Sequence, residues 1–179
     1  MNNPILEARG ISKSFGTIKA LDNVDFFLEK GIIHGLLGEN GAGKSSLMNI
    51  LSGIYLPEKG IIKIDGMLVN RLNPDLASSF GIGMVHQEFR LIDSFSIKDN
   101  LTLSKSNIYK NDFDEAFAKY SDIFALNLNF MTPVSELSVG EKQKVEIMKL
   151  IFNNSSIMLL DEPTAVLTPQ ETVQLKISL

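Results

Sequence analysis

A glycine-rich segment around residue 40 constrains the fold of this chain more than any other feature. It reads Gly38-Glu39-Asn40-Gly41-Ala42-Gly43-Lys44-Ser45 and matches the pattern G-x-x-x-x-G-K-[ST]. The mostly apolar run 31–37 before it has the length of a strand, and the run SSLMNILSG after it has helical spacing. A strand, a glycine-rich loop and a helix in this order predict a phosphate-binding unit of an α/β protein.

The residue types of the loop suit an anion. Glycines let backbone N–H groups turn toward phosphate oxygens, and the following helix directs its positive end at the same place. Lys44 supplies a mobile cation for β- and γ-phosphates, and Ser45 supplies a hard oxygen for Mg²⁺. The alternative is a chance match, against which the flanking strand and helix argue.

Two carboxylates follow a second apolar run, IMLLDEPT. Ends of strands are where ligands bind in open α/β sheets, so Asp161 is predicted to hold Mg²⁺ through water and Glu162 to polarise an attacking water. Neighbouring side chains of a strand point to opposite faces, so both can serve only if the strand ends in a turn, as Pro163 suggests. A solvated Asp-Glu pair at a strand end is the alternative.

The remaining patterns predict strands and helices that alternate at both ends of the chain around a helical middle. This arrangement favours the α/β class with a parallel sheet. The stripe Phe113, Phe117, Tyr120 and Phe124 is predicted to be core. The predicted strands are 5–8 and 24–28 around a loop over 12–19, 31–37, IIKIDG with a turn at Asp65-Gly66, GIGMVHQ and 156–160. The predicted helices are SSLMNILSG, one capped by Asn73, SIKDNLTL, 111–128, 139–152 and one capped by Thr168.

Composition excludes several classes of site. The chain has no Cys, so it has neither a disulfide framework, nor a thiolate metal site, nor a thiol nucleophile. Its 2 histidines make a histidine-rich metal site improbable: His34 is predicted to pack in the core and His86 to be structural or interface-facing. A net charge of −4 argues against a nucleic-acid partner. No apolar run is long enough to span a membrane.

Three further segments complete an ordered set of motifs. LSVGEKQ (137–143) begins 24 residues before Asp161, Gln87 follows GIGMVH, and Phe15 lies in ISKSFG. With the phosphate loop and the acidic strand end, these segments resemble the motifs of the ATP-binding cassette (ABC) family over nearly the whole chain. VHQEFRLIDSFSIKDNL, LSVGEKQKVEI and DEPTAVLTPQE resemble its importer ATPases for simple sugars and nucleosides, which usually carry two cassettes in one chain.

The resemblance implies a fold and its subdivision. The expected fold is a P-loop NTPase, with a RecA-like parallel sheet core, N-terminal antiparallel strands and an inserted helical subdomain. Residues 1–88 and 153–179 would form the nucleotide-binding core, incomplete at its C-terminus, and residues 89–152 the helical subdomain with the signature motif. The chain would be the N-terminal cassette of a longer protein, truncated at its C-terminus.

The resemblance also implies roles for individual residues, with ATP and Mg²⁺ as cofactors. Glu162 and Gln87 would be catalytic, and Ser45, Gln87 and Asp161 would hold the metal. Phe15 would stack on adenine, and the rest of the nucleotide would contact Gly38, Glu39, Asn40, Gly41, Ala42, Gly43, Lys44, Ser45 and Ser46. The signature residues Leu137, Ser138, Val139, Gly140 and Glu141 would contact the ATP of a partner cassette.

The implied function is ATP binding and hydrolysis that energises a membrane importer. The expected partners are a second cassette, transmembrane permease subunits contacted through residues 89–100 and, indirectly, a substrate-binding protein. The expected place is the cytoplasm, peripheral on the inner face of the cell membrane. The alternatives are a truncated nucleotide-binding module without turnover and a soluble non-transport ABC protein that acts on ribosomes or DNA.

Three departures from the family pattern bear on activity. Val139 stands where the signature usually has a glycine and Glu141 where it has a glutamine, which places a negative charge near the partner's phosphates. Thr168 stands where an aspartate usually follows the acidic strand. The family also needs a histidine at the end of the next strand, so we expect a complete cassette to continue beyond Leu179 and the isolated chain to be marginally stable.

Overall fold

A computed structural model describes residues 4–103 and 112–163 of the protein. Contacts between Cα atoms divide the chain into two compact units, Met1–Ile82 and Gly83–Leu179. The subdivision expected from the resemblance, with residues 89–152 as an insert in the core, stays a prediction. Each unit is described by itself.

The first unit is built on a four-stranded antiparallel sheet of order β2-β1-β3-β4. β3 and β4 meet in the predicted turn, where Ile64 pairs with Met67 and both Asp65 and Gly66 have positive φ, as a tight hairpin requires. Buried residues of this sheet include Leu6, Ala8, Ile11, Ile62 and Ile64. The strands are β1 (Leu6–Phe15), β2 (Ile18–Leu28), β3 (Lys59–Ile64) and β4 (Met67–Val69).

The first two strands are longer than their sequences predict. The loop predicted over 12–19 is wrong, because β1 continues to Phe15 and pairs through Ser14↔Lys19 and Phe15↔Ile18 before a turn at Gly16 and Thr17. Register shifts interrupt the ladder at several points along its length. Cross-strand hydrogen bonds thus extend a hairpin through residues whose own side chains carry little strand signal.

Both helices of the first unit form where the sequence predicts them. α1 (Lys44–Leu51) buries Leu47, Ile50 and Leu51. α2 (Pro74–Ser79) starts with proline in its first turn, and the Asn73 side chain accepts a hydrogen bond of 2.8 Å from the Leu76 N–H.

Residues 31–37 do not form the predicted strand. Ile33 is 72% exposed and Leu37 92% exposed, and no strand of the described residues pairs with this run. An apolar run becomes a strand only when a neighbouring ladder takes its backbone groups. The core position predicted for His34 is also wrong: this histidine is exposed, and its Nε2 accepts a long 3.5 Å hydrogen bond from the Glu29 N–H.

The second unit combines a pair of strands with helices. β5 (Ile82–Val85) lies beside β6 (Ile157–Leu160), and the Asp161 N–H donates to the Val85 carbonyl at 3.1 Å. This hydrogen bond joins the two carboxyl ends, so the strands run parallel, as predicted. The helices are α3 (Ile97–Thr102), α4 (Phe113–Ile123) and α5 (Val139–Phe152), with a 3-10 helix at Val134–Glu136.

Aromatic rings form much of the core of the second unit. Phe113, Phe117 and Phe124 are each at most 4% exposed, and Tyr120 packs against the same cluster. Phe113 stacks on Phe117 with ring centroids 5.7 Å apart and lies 5.3 Å from the ring of Phe152. The prediction that this aromatic stripe is core is confirmed.

One predicted helix and the question of a membrane span remain to be compared with the structure. The helix predicted to begin at Thr168 lies outside the described residues. Within 4–103 and 112–163, every helix is too short or too polar to cross a membrane.

Candidate functional site

The predicted phosphate loop lies in the first unit, directly before α1. Gly41 and Gly43 have φ of 83° and 90°, a backbone conformation that side-chain-bearing residues rarely adopt. A Cβ on Gly43 would stand 2.4 Å from the carbonyl oxygen of Ala20 on β2 and 2.9 Å from Leu21. Glycine is therefore required at residue 43 both for its conformation and for the close approach of the loop to β2.

The start of α1 leaves its amides available to a ligand. The N-cap is Gly43, no side chain caps this end, and the first turn holds no acidic residue. The N–H groups of Lys44, Ser45 and Ser46 are among those that an α-helix cannot satisfy internally. An anion at this end would accept from these donors and would also meet the positive end of the helix dipole.

The ammonium group of Lys44 folds back over the loop. Its Nζ donates to the carbonyl of Gly38 at 2.7 Å and to that of Glu39 at 2.8 Å. A phosphate is a stronger acceptor than a neutral carbonyl, so these hydrogen bonds can be exchanged for charge-assisted ones. The loop thus holds its cation in place before a ligand arrives.

Phe15 ends β1 in the same unit. Its side chain is 42% exposed and contacts Tyr55 edge to face, with ring centroids 5.2 Å apart. Lys13 Nζ lies 5.6 Å from the centre of the Phe15 ring. A partly exposed aromatic ring with a fixed neighbour is suited to stacking on a flat ligand, and its contact with adenine stays a prediction.

In the second unit, the parallel strand pair brings Gln87 and Asp161 near each other. Gln87 follows β5 by two residues, and Asp161 follows β6 directly. The hydrogen bond from the Asp161 N–H to the Val85 carbonyl places these ends side by side. Asp161 is 8% exposed, whereas Gln87 is exposed.

Glu162 has left the strand, as the following proline suggests. Its φ is 50°, in the left-handed region, and its side chain is exposed. The strand alternation that would separate the side chains of Asp161 and Glu162 therefore stops before residue 162. A left-handed conformation at a residue other than glycine costs free energy and is often found at functional sites.

His86 lies beside this strand end. Partial burial lowers the pKa of its imidazole below 6.5, the positive charges of Arg90 and Lys149 lower the pKa further, and Asp161 opposes them. Neutral imidazole is therefore favoured next to Asp161.

The signature segment forms the start of α5. Ser138 is the N-cap, and its Oγ accepts a hydrogen bond of 3.3 Å from the Glu141 N–H. Glu141 Oε2 accepts one of 2.8 Å from the Ser138 N–H, which completes a capping box. The carboxylate of Glu141 is thus engaged with its own helix. Leu137 and Gly140 are buried, and Val139 is 49% exposed.

Sequence reasoning did not identify a set of polar side chains that hold the segment after Gln87. Glu146 accepts a hydrogen bond from the Arg90 N–H, and Lys149 Nζ donates to the Arg90 carbonyl at 2.9 Å. Lys142 forms an ion pair of 2.8 Å with Asp93. The signal available in the sequence was a glutamate inside the apolar pattern of α5, and the structure shows that this glutamate is buried.

The predicted site residues fall into two groups. Phe15 and residues 38–46 lie in the first unit, and Gln87, residues 137–141, Asp161 and Glu162 lie in the second. The oxygens of Ser45, Gln87 and Asp161 are hydroxyl, amide and carboxylate, the hard donors that Mg²⁺ takes in proteins alongside phosphates. Each of these oxygens, including the buried carboxylate at the end of β6, is of a type that fits this metal.

Comparison with known proteins gives a consistent family. The ABC transporter family model matches residues 21–165. The chain is 42% identical over 176 residues to the guanosine import ATP-binding protein NupO of Bacillus subtilis (strain 168), covering 96% of this chain and 34% of that protein. It is 45% identical over 178 residues to the ribose import ATP-binding protein RbsA of Caldanaerobacter subterraneus subsp. tengcongensis, covering 96% and 36%.

Solved structures share the fold. MJ1267, an ATP-binding cassette of an ABC transporter, has a TM-score of 0.85 at 26% identity, covering 98% of this chain and 75% of that chain. The dimeric structure of MJ0796, a bacterial ABC transporter cassette, has a TM-score of 0.83 at 25% identity, covering 96% and 80%. The chain spans about a third (34% and 36%) of the length of the two curated relatives. With these motifs, this fold and these relatives, the chain belongs to the ABC transporter family.

Proposed function

We propose that the protein binds and hydrolyses ATP as the energy-coupling subunit of a membrane importer for simple sugars or nucleosides. The observation that carries this proposal is the uncapped start of α1 behind the loop 38–45, with the Lys44 ammonium held across it. Relatives named for the import of guanosine and ribose support the class of cargo.

In this proposal the first unit binds the nucleotide. The amides of residues 41–46 surround the phosphates, and Lys44 exchanges its two loop carbonyls for β- and γ-phosphate oxygens. Phe15 stacks its exposed face on adenine. Tyr55, in contact with that ring, limits its rotation.

The second unit contributes the groups for hydrolysis. Glu162 orients water for in-line attack, and its left-handed backbone directs the carboxylate away from the strand pattern. Ser45, Gln87 and Asp161 would hold Mg²⁺, which when bound neutralises charge on the phosphate oxygens. The neutral form of His86 adds no positive charge beside Asp161.

The proposal includes partners and a place. Two cassettes enclose two ATP molecules, with Ser138 and Gly140 at the start of α5 facing the ATP of the partner cassette. A dimeric cassette among the solved relatives supports this arrangement. Residues 89–100 contact transmembrane permease subunits on the inner face of the cell membrane, and a substrate-binding protein delivers the cargo to them.

The proposal also includes a subdivision of the chain. Residues 1–88 and 153–179 form the nucleotide-binding core, and residues 89–152 form the helical subdomain.

ATP affinity and phosphate release, measured separately on the full chain, test this proposal. We expect binding and Mg²⁺-dependent release, with Glu162→Gln losing release while it keeps binding. Exposed Glu136 supplies the control variant Glu136→Gln, which keeps both. Binding without release by the unmodified chain would instead indicate a nucleotide-binding module without turnover.

A further inference from the structure

The backbone just after Gln87 is held by side chains of α5 on both sides of one residue. Glu146 accepts from the Arg90 N–H, and Lys149 Nζ donates to the Arg90 carbonyl at 2.9 Å. We call this set the Arg90 clamp: the side chains of Glu146 and Lys149 with the backbone of Arg90. The clamp gives both the backbone N–H and the backbone carbonyl of Arg90 a hydrogen-bond partner, although Arg90 does not lie in a strand.

The clamp lies on one face of α5, and neighbouring contacts extend it. Lys142 precedes Glu146 by one helical turn and binds Asp93 at 2.8 Å. Asn100 of α3, 1% exposed, accepts from the Ile92 N–H at 2.8 Å and donates to the Ile92 carbonyl at 3.1 Å. Residues 90–93 are therefore attached to both α3 and α5.

The carboxylate of the clamp is unusual for its surroundings. Glu146 is 5% exposed, and Val145, Ile147 and Met148 beside it are 0% exposed. A buried carboxylate costs free energy unless hydrogen bonds compensate it, and replacement by an apolar residue often leaves stability unchanged or raises it. Packing of α5 alone therefore does not require a glutamate at residue 146.

We infer that Glu146 and Lys149 are positioning residues for Gln87. Arg90 follows Gln87 by three residues, so fixing the Arg90 peptide to α5 makes the position of Gln87 depend on the helix that begins at Ser138. A shift of α5, when its start meets the partner's ATP, is transmitted to the amide of Gln87 through the clamp. This inference rests on the proposed function, which places Gln87 on the metal and Ser138 at the partner's nucleotide.

The test compares Glu146→Ala with Glu146→Gln in the full chain. In Glu146→Ala the Arg90 amide loses its acceptor, so its hydrogen exchange accelerates. We expect kcat for ATP to fall about tenfold and the Mg²⁺ concentration for half-maximal rate to rise, with ATP affinity within about twofold of the unmodified chain. Glu146→Gln keeps an oxygen acceptor and restores most of kcat. The control is Glu136→Ala at an exposed residue, which should change neither the hydrogen-exchange rate of the Arg90 amide nor kcat.

Two results overturn the inference. One is an unchanged kcat and Mg²⁺ dependence in Glu146→Ala although Arg90 exchange is faster, and the other is unchanged Arg90 exchange. If Glu146→Ala does not fold, Lys149→Met carries the same expectations for kcat and for the Mg²⁺ dependence, because it removes the donor to the Arg90 carbonyl. Lys44→Ala separates the two proposals: if it leaves hydrolysis intact the proposed function fails, whereas loss in Lys44→Ala with none in Glu146→Ala refutes the clamp alone.

Discussion

The proposed function places ATP phosphates at the starts of both α1 and α5, yet these two helix starts are built in opposite ways. α1 begins at a glycine that offers no side-chain acceptor and has no acid in its first turn. α5 begins at Ser138, whose hydroxyl and backbone are paired with Glu141 in a capping box. The first turn of α1 leaves its amides to a ligand, whereas the capping box of α5 engages the N–H groups of Ser138 and Glu141.

This difference shows how the two ends can use an anion. At α1 the ligand replaces a missing cap, so binding should gain from several amides and a lysine at once. At α5 the Ser138 Oγ accepts from the Glu141 N–H, and within the described residues no acceptor takes the hydroxyl proton. In the proposed function that proton is donated to a phosphate of the partner's ATP, and the Glu141 carboxylate accepts from the Ser138 N–H of its own helix.

Gly43→Ala tests whether the open end of α1 depends on its backbone. We expect loss of about 3 kcal/mol of unfolding free energy, because the new Cβ would stand 2.4 Å from the Ala20 oxygen at a φ of 90°. Gly41→Ala is the matched control: it has nothing within 4 Å, and only its φ of 83° costs about 1 kcal/mol. Equal losses in denaturant titrations of the two variants would contradict the close packing of Gly43 on β2.

Lys44→Ala tests the cation of the same end and also removes its hydrogen bonds to the Gly38 and Glu39 carbonyls. We expect ATP affinity to fall by about 30- to 150-fold, since a charged hydrogen-bonding partner of the phosphates contributes about 2–3 kcal/mol. Calorimetric titration measures this change, and Lys30→Ala, on an exposed turn, is the control. An unchanged ATP affinity in Lys44→Ala would contradict the proposed phosphate-binding role of the loop.

Ser138→Ala and Glu141→Gln test the capped end. Ser138→Ala should cost about 1 kcal/mol of stability and slow hydrolysis, because both the cap and the hydroxyl donor are lost. Glu141→Gln keeps a side chain that can complete a capping box, so the free energy of unfolding measured by thermal denaturation should change by less than about 0.5 kcal/mol. A large gain in hydrolysis in Glu141→Gln would show that the carboxylate repels the partner's phosphates despite its capping bonds.

His86→Gln gives the smallest expected effect and concerns pH. The folded pKa lies below 6.5, so the unfolded chain binds more protons and stability should fall as pH drops from 6.5 through the folded pKa. Above pH 6.5 the contribution of this group is complete. Urea titrations without nucleotide or metal should show that the free energy of unfolding of His86→Gln falls less below pH 6.5 than that of the unmodified chain. An equal fall in the two proteins would contradict the burial of the imidazole among charges.

Local patterns predicted much of the fold because their causes lie within a few residues. Asn73 and Pro74 placed the start of α2, Asp65 and Gly66 placed a hairpin turn, and 139–152 was predicted as the helix that forms. Caps, turn residues and helical spacing act over one or two turns of chain. The motif order likewise led to the family that the relatives confirm.

Other features depended on distant partners. The run 31–37 has the composition of a strand, but among the described residues it has no strand beside it and stays exposed with His34. β1 and β2 lengthened because they pair with each other. The Arg90 clamp joins residues 56 and 59 positions apart. Sequence thus determined the local chemistry of the loop and helix starts, whereas tertiary structure decided which strands persist and which buried charges meet, because backbone pairing and desolvation depend on what packs alongside.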